Sequence, residues 1–520
     1  MMVSPLSKMV RHALRMMVGT FASRILGLLR EIITAALFGA TRQLDAFLVA
    51  YTLANLSRQL LAEGALSAAF VPVFSRVLAE EGREKAARLV RQVTSVLIIA
   101  GGATVVLGIL AAPLFVKVMA PGFSGKDAQL AILLTRLMFP FLLLVSVAAL
   151  AMGVLNTMDS YFVPAVAPAL SNLLYIALLI ILAPRLGVWS LPVAVLAGGA
   201  GQMLLQWWRA GALGMPLVPA RPELANPELK KVLCLFFPYM AGLSLNQVNP
   251  VISRMVGSFL EGGTISVLSY ADRVIQLPLG LFVIAISQAV LPMLSRLGAE
   301  ETEKFALMVR DALRFTLFVI LPVVVGMTML SRPMVHVIFV RGAFNDWAWK
   351  ATSLALALYA LGLPGMACST VVMRGLYARR LPREALKVTG MTVLLNLVFS
   401  LLFVRFLSYA GLALASSLAF TGGAMIGAWR LRRHLGEPIK VLTPGWMLSH
   451  GIALAVMIAA IAVGTYLFPY DPGSGLWRKL AWVLVSVGAG AVVYGFASWL
   501  AGCTEWKWVF GALQKGEGAS

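Results

Sequence analysis

The chain has 520 residues, 60% of them hydrophobic and only 12% charged, with a mean hydropathy of +0.87. Soluble domains carry about 25% charged residues, so the composition excludes a soluble enzyme or binding module and leaves a polytopic helical membrane protein. The net charge of +21 does not signal nucleic acid: the basic residues lie between apolar runs, where they attract anionic lipid headgroups and set orientation.

Apolar runs of spanning length recur at 13–39, 46–75, 92–117, 130–156, 161–183 and 187–211. A second set covers 232–260, 264–295, 312–340, 351–377, 385–407 and 410–432, and two more lie at 446–468 and 477–502. Six, six and two make fourteen predicted transmembrane helices in an all-α fold.

The first run follows Lys8, Arg11 and Arg15. It is too long for a signal-peptide core and has no clear small-residue cleavage site, so it is expected to stay in the mature protein. It carries Arg24, Arg30 and Glu31. Arg24 and Glu31 fall about 20° apart around a helix, while Arg30 lies about 120° from Arg24. Gly27, between the arginines, permits bending or close packing. The second run opens on Asp45; Asn55 and Arg58 share one face, and Gln59 and Glu63 the adjoining one. GGAGQ at 198–202 reads as a helix-packing motif. Asn246 and Asn249 lie in the seventh run, and Asp272 with Arg273 early in the eighth. In the eleventh, Asn396 and Ser400 share a face, fit either to coordinate a cation or to make ordinary interhelix hydrogen bonds.

A guanidinium at mid-bilayer costs about 3 kcal/mol on insertion scales. Arg24, Arg30, Arg58 and Arg273 are therefore expected to line a polar interior and to bind an anion. Arginine suits phosphate through its forked donors. The plainer alternative for each is snorkelling to the headgroups or an interhelix salt bridge.

No catalytic or metal centre is expected. His12, His336, His434 and His450 are scattered, and Cys234, Cys368 and Cys503 lie in separate apolar segments without paired or ligand spacing. There is no Walker loop and no convincing Ser-His-Asp set.

Lysine and arginine gather in alternate connections, at 8–15, 76–91, 209–231, 296–314, 374–387 and 430–440. That asymmetry predicts cytoplasmic N- and C-termini. The two sets of six also resemble each other. VPVFSRVLAEEGREKAARLVR at 71–91 matches LPMLSRLGAEETEKFALMVR at 291–310, and Pro113 with Gly122-Phe123 is echoed by Pro333 with Ala343-Phe344. Six spans per copy is even, so the repeat is parallel, about a pseudo-two-fold axis along the membrane normal, with a site expected between halves. The expected organisation is a lobe at 1–220, a second at 221–440 and two extra helices at 441–520.

Several stretches resemble the MurJ (MviN) family of lipid II flippases, within the superfamily of multidrug and oligosaccharidyl-lipid exporters. They are SRILGLLRE at 23–31, DAFLVAYTLANLSRQLLAEGALSAAFVP at 45–72, APGF at 120–123, LNT at 155–157 and YADRVIQLPLG at 270–280. The resemblance covers essentially the whole chain. It implies a two-lobed transporter in the bacterial inner membrane; separately, no cofactor and a monomeric state are expected. Such a protein flips the undecaprenyl-pyrophosphate-linked peptidoglycan precursor outward by alternating access.

By the same resemblance, the essential cavity arginines are Arg24, Arg30, Arg58 and Arg273, with Glu31, Asp45, Asn55, Glu63 and Asp272 as gating or charge partners. Glu31 stands where the family usually has Asp, a longer arm. The last two helices resemble the family's groove for the lipid tail. Members with a sodium site use carboxylates in the C-terminal lobe; this chain has Asn246, Asn396 and Ser400 in the comparable regions, so sodium coupling stays open. The membrane potential is an expected driving force, at about 2.3 kcal/mol per charge per 100 mV. The alternatives are an ion-coupled drug exporter of the same superfamily, which would want cavity carboxylates, and a flippase for another polyprenyl-diphosphate glycan.

Overall fold

The computed structural model describes residues 5–59, 66–221, 223, 225–244, 248–297 and 301–508. Among these residues the regular elements are all helical, since a backbone crossing hydrocarbon must satisfy its own hydrogen bonds.

The chain forms two compact units, Met1–Ser266 with Arg341–Phe344, and Val267–Val340 with Asn345–Ser520. The first contains α1 (Pro5–Phe38), α2 (Arg42–Ser57), α3 (Leu66–Glu80), α4 (Arg83–Met119) and α5 (Gly125–Met138). It continues through α6 (Pro140–Thr157), α7 (Phe162–Leu186), α8 (Ser190–Ala212), α9 (Pro227–Ser244) and α10 (Val248–Gly257). Helix α11 (Thr264–Pro278) begins there and runs into the second unit. That unit adds α12 (Ile284–Ser295), α13 (Thr302–Met329), α14 (Ser331–Phe339), α15 (Asp346–Ala360) and α16 (Leu363–Ala378). It ends with α17 (Pro382–Leu435), α18 (Pro444–Leu467) and α19 (Leu476–Leu500).

The predicted runs fall on single helices or on broken ones. Run 130–156 is shared by α5 and α6, with Pro140 at the first position of the second helix. Run 264–295 becomes α11, a π-helical segment at Leu279–Val283, and α12. The irregularity follows Pro278, which removes one intrahelical donor and leaves a wider turn to reconnect the ladder. Runs 385–407 and 410–432 share α17, which is kinked at Ser408 with φ 50° and ψ −130°.

Among the described residues, eight helical stretches are long and apolar enough to cross a membrane, or nine if Asp346–Ala360 and Leu363–Ala378, bent by 41°, count as one. Two of the eight, Phe162–Ala212 and Pro382–Leu435, each hold two predicted runs. The described helices are thus consistent with fourteen spans.

In the first unit, Phe70 and Phe74 of α3 stack with centroids 5.0 Å apart. They pack in one core with Leu89, Leu150 and Leu155. Helices α7 and α8 meet across the GGAGQ motif: a Cβ on Gly198 would stand 2.7 Å from the Ser171 carbonyl oxygen, and one on Gly201 would strike Leu174. In the second unit, Phe305, Val309, Val371, Leu376 and Leu431 form one core. A second core joins Phe318 of α13 to Ala453, Met457 and Ile461 of α18 and Tyr494 of α19.

The outside is equally apolar. Leu107, Leu110 and Leu114 on α4, and Leu484, Val485 and Val492 on α19, are all more than 60% exposed. Such surface needs lipid to cover it. At a connection predicted to be cytoplasmic, Glu228 pairs with Lys231 at 3.0 Å and with Arg76. Partial burial raises its carboxyl, but the hydrogen bonds from Lys231 and Arg76 outweigh that and hold it below the usual carboxylate range.

Packing of α16 on α17 depends on the glycine at position 365. A Cβ on Gly365 would lie 2.5 Å from the Thr421 amide nitrogen, whereas one on Gly326 would meet nothing within 4 Å. Gly365→Ala is expected to destabilise by about 1–3 kcal/mol through overpacking. Thermal unfolding of detergent-purified protein should show a lowered midpoint for it and essentially none for Gly326→Ala.

Candidate substrate-binding site

Arg30, late in α1, has the most elaborate setting of the four predicted arginines. Its side chain is 19% exposed and donates to Glu31 Oε1 at 2.7 Å. A second guanidinium nitrogen lies 3.4 Å from Asn172 Oδ1 on α7. Two aromatic rings flank the cation: the Cζ atom is 5.3 Å from the centre of Tyr175 and 5.9 Å from that of Tyr51. Rings at that range attract a guanidinium through their negative faces. The Tyr175 hydroxyl lies 3.3 Å from Thr34 Oγ1, and Thr34 donates to the Arg30 carbonyl at 2.8 Å. Asn172 also donates to the Ser23 carbonyl at 3.2 Å, close beside Gly27, where a Cβ would come within 3.7 Å of its amide. Gly27 is therefore a point of helix contact.

Arg24 is exposed, as its different helical phase requires. Arg58 donates to Asn55 Oδ1 at 3.1 Å, in keeping with the face they share. It sits just past the end of α2, where the backbone widens into a π-turn at 58–59. Glu63 and Asn246 lie outside the described residues.

Asp45 is fully buried and faces backbone donors. Its Oδ2 accepts from the Gly263 N–H at 2.6 Å, and its Oδ1 from both the N–H and the hydroxyl of Ser266 at 2.7 Å. These are donors at the start of α11, which have no acceptor inside their own helix. A carboxylate there also meets the positive end of the helix dipole. Arg42 donates to the carbonyls of Leu260 (2.9 Å) and Ser258 (3.4 Å) and stands 3.6 Å from Asp127.

Two loops that the repeat makes equivalent dock at this same end of the first unit. Gly122 N–H donates to the Ser258 hydroxyl at 2.9 Å, and Ala343 N–H to the Ala36 carbonyl at 2.8 Å. Gly342 takes φ +55°, and its missing Cβ lets the loop close on the Ala36 carbonyl.

In the second unit, Gln276 links the other predicted pair. Arg273 donates to Gln276 Oε1 at 3.3 Å, and the Gln276 amide donates to Asp272 Oδ2 at 2.5 Å. The π-helical segment begins three residues further on. Asn396 is 1% exposed, with its Oδ1 3.4 Å from both Ser400 Oγ and Ser416 Oγ. Ser416 lies beyond the Ser408 kink, so this group bridges two segments of α17.

Tyr51, Asn172, Tyr175 and Gln276 were not singled out in the sequence. Tyr51 carried a usable signal, since it shares a face with Asn55 and Arg58 at four- and three-residue steps. Asn172 and Tyr175, three apart in an otherwise apolar run, carried a weaker one.

The profile of the family described as "Lipid II flippase MurJ" matches residues 34–481. A protein named lipid II flippase MurJ from Burkholderia cenocepacia is 32% identical over 437 residues, 82% of this chain and 84% of its own length. One named probable lipid II flippase MurJ, from Rhizobium meliloti, is 32% identical over 515 residues, 96% of this chain and 95% of its own. A solved structure titled lipid II flippase MurJ, inward closed conformation, aligns with TM-score 0.77 at 27% identity, covering 93% of this chain and 97% of that one. An inward-facing multidrug resistance transporter of the MATE family aligns with TM-score 0.67 at 17% identity, over 80% of this chain and 94% of its own, a likeness of fold alone.

Removing the Asp45 carboxylate would leave two buried N–H groups without acceptors, each worth about 1–3 kcal/mol. Asp45→Ala should therefore lower the unfolding midpoint clearly, and Asp45→Asn, which keeps one carbonyl oxygen, should lower it less. Scanning calorimetry or intrinsic fluorescence of the purified variants measures the difference; equal midpoints for wild type and Asp45→Ala would remove the capping role.

Proposed function

The chain belongs to the lipid II flippase MurJ family, and on that footing we propose that it carries lipid II from the inner to the outer leaflet of the bacterial cytoplasmic membrane. It is a transporter, not an enzyme. The observation that carries this reading is the match, along nearly the whole chain, to relatives named for that activity. The arginines supply the chemistry. A pyrophosphate with about two negative charges cannot enter hydrocarbon unaided, because the desolvation of each ion amounts to several kcal/mol or more. Arg24, Arg30, Arg58 and Arg273 replace that hydration, and the lipid tail follows a groove formed by the helices within 441–520.

Glu31 holds Arg30 in place at 2.7 Å and moderates its pull on the ligand. Asp45 acts as a latch. Residues 1–220 and 221–440 form the two lobes of the repeat, and Asp45 of the one holds Gly263 and Ser266 of the other at the predicted outer end. For the outer leaflet to receive the substrate, those hydrogen bonds must be exchanged for water. An inside-negative potential favours expulsion of the anion by about 2.3 kcal/mol per charge per 100 mV. Sodium coupling is not needed for this cycle, and the Asn396–Ser400–Ser416 group supports an interhelix tie. The protein acts as a monomer with both termini cytoplasmic. A flippase for another polyprenyl-diphosphate glycan would use the same phosphate contacts, so the test must read the substrate directly.

In cells depleted of their own lipid II flippase, wild-type chain should restore labelling of lipid II from outside. Arg24→Ala, Arg30→Ala and Arg273→Ala, at equal protein levels, should each abolish it or reduce it severalfold. Well-inserted wild type that restores nothing would remove lipid II as the substrate. Restoration by the arginine variants would keep the substrate and remove the site.

A further inference from the structure

Three chemically active side chains meet in the second unit, where the sequence spacing gave no sign of a site. His450 lies on α18, and Cys503 and Glu505 follow the end of α19. They are 1%, 5% and 0% exposed. One donor atom from each lies within 4.8 Å of the other two; among the described residues this is where three such donors converge.

The orientation of the ligating groups is what a metal site needs. His450 Nδ1 is 2.9 Å from the Trp446 carbonyl, which fixes that nitrogen as the N–H donor and leaves Nε2 as the lone-pair nitrogen. Nε2 is buried and makes no hydrogen bond, though it stands 3.5 Å from Glu505 Oε2. The indole N–H of the same Trp446 donates to Glu505 Oε1 at 2.7 Å and leaves Oε2 turned toward the histidine. One tryptophan thus orients both ligands, the arrangement by which supporting residues fix metal-binding histidines and carboxylates. Cys503 Sγ is the third donor; its contact of 3.7 Å is with His450 Nδ1, within the 4.8 Å that groups the three residues.

Distances and charge agree on the kind of ion. Tetrahedral zinc with bonds of about 2.0–2.3 Å has ligand-to-ligand edges of roughly 3.3–3.7 Å. The His450–Glu505 separation already fits that range. Most of the surroundings are apolar: Phe318 lies edge-on to His450 at 5.9 Å and Tyr494 packs in the same core, while Thr504 Oγ1 donates to Glu505 Oε2 at 3.3 Å and Ser449 Oγ lies 3.3 Å from His450 Nδ1. An unneutralised carboxylate there is unfavourable by several kcal/mol. A divalent ion with one thiolate and one carboxylate makes a neutral cluster, and the N, O and S donor set suits zinc better than calcium or magnesium.

We propose that His450, Cys503 and Glu505 bind a divalent transition metal ion, zinc by preference, which staples the segment after α19 to α18. Three protein ligands leave a fourth coordination position open. The role is structural, since the cluster lies in the packed core that joins α13, α18 and α19.

The test uses the full chain purified without a polyhistidine tag, in detergent, with zinc supplied during growth. Elemental analysis should find about one zinc per chain, and cobalt substitution should give a thiolate-to-metal charge-transfer band. Cys503→Ser and Glu505→Gln should lose most of the metal, and Cys503→Ser the band as well. Trp446→Phe keeps the ring but loses the indole donor, so its affinity should fall by about 10–100-fold. A chelator should lower the unfolding midpoint of wild type and leave that of Cys503→Ser unchanged. Wild-type protein that takes up neither zinc nor cobalt overturns the proposal. So does zinc retained at wild-type level by both ligand variants, which would mark an ion bound elsewhere.

Discussion

A charged group inside hydrocarbon must be given its partners by the protein itself, and much of this structure follows from that demand. Arg30 illustrates it. Its guanidinium takes a carboxylate from the next residue, an amide from α7 and the faces of two tyrosines. Each partner holds a helix as well as the cation: Asn172 reaches back to the backbone of α1, and Tyr175 to Thr34. The packing of α1 against α7 and the fixed setting of the arginine are thus one arrangement. A well-held cation binds anions with less loss of side-chain freedom than a mobile one.

The same demand acts on the backbone. Where a spanning helix breaks, the freed N–H and C=O groups need new partners. At Pro278 the answer is a π-helical segment, five residues that keep the chain helical through a defect, close to Arg273. At the start of α11 the answer is Asp45, a side chain from a distant helix doing what a local capping residue does in soluble proteins. Both irregularities lie beside residues that the flippase reading assigns to binding or gating. Breaks in spanning helices concentrate where backbone lines a cavity or a moving joint.

Hydropathy located the helices because a 3.6-residue helix crossing about 30 Å leaves no other choice of length. It also singled out Arg24, Arg30, Arg58, Arg273 and Asp45, since an ionisable residue in an apolar run stands out against its neighbours. Local phase was legible too: Arg24 and Arg30 part company, and Asn55 meets Arg58, as helical geometry requires. What the sequence hid was contact at long range. Asn172 and Tyr175 lie more than 140 positions from Arg30 and Thr34, and nothing local announces that they meet. Asp45 read as a charge to be paired with another charge, and its actual partners, two backbone amides and a hydroxyl, have no sequence signature. His450 escaped for the same reason, lying over 50 residues from Cys503 and Glu505 across an entire hairpin of helices. Broken helices such as α5–α6 were read as continuous because hydropathy averages over a proline.

Glu31 has one further consequence, for competition among small anions. Because its carboxylate already sits on Arg30 at 2.7 Å, any incoming anion must displace or outbid a tethered rival present at very high effective concentration. Chloride, with a single diffuse charge and no fork to match a guanidinium, is badly placed to do so; a diphosphate, with two charges and paired oxygens, is far better placed. On the proposed reading, in which Arg30 binds the substrate's diphosphate, the longer glutamate is an internal threshold against the commonest intracellular anions.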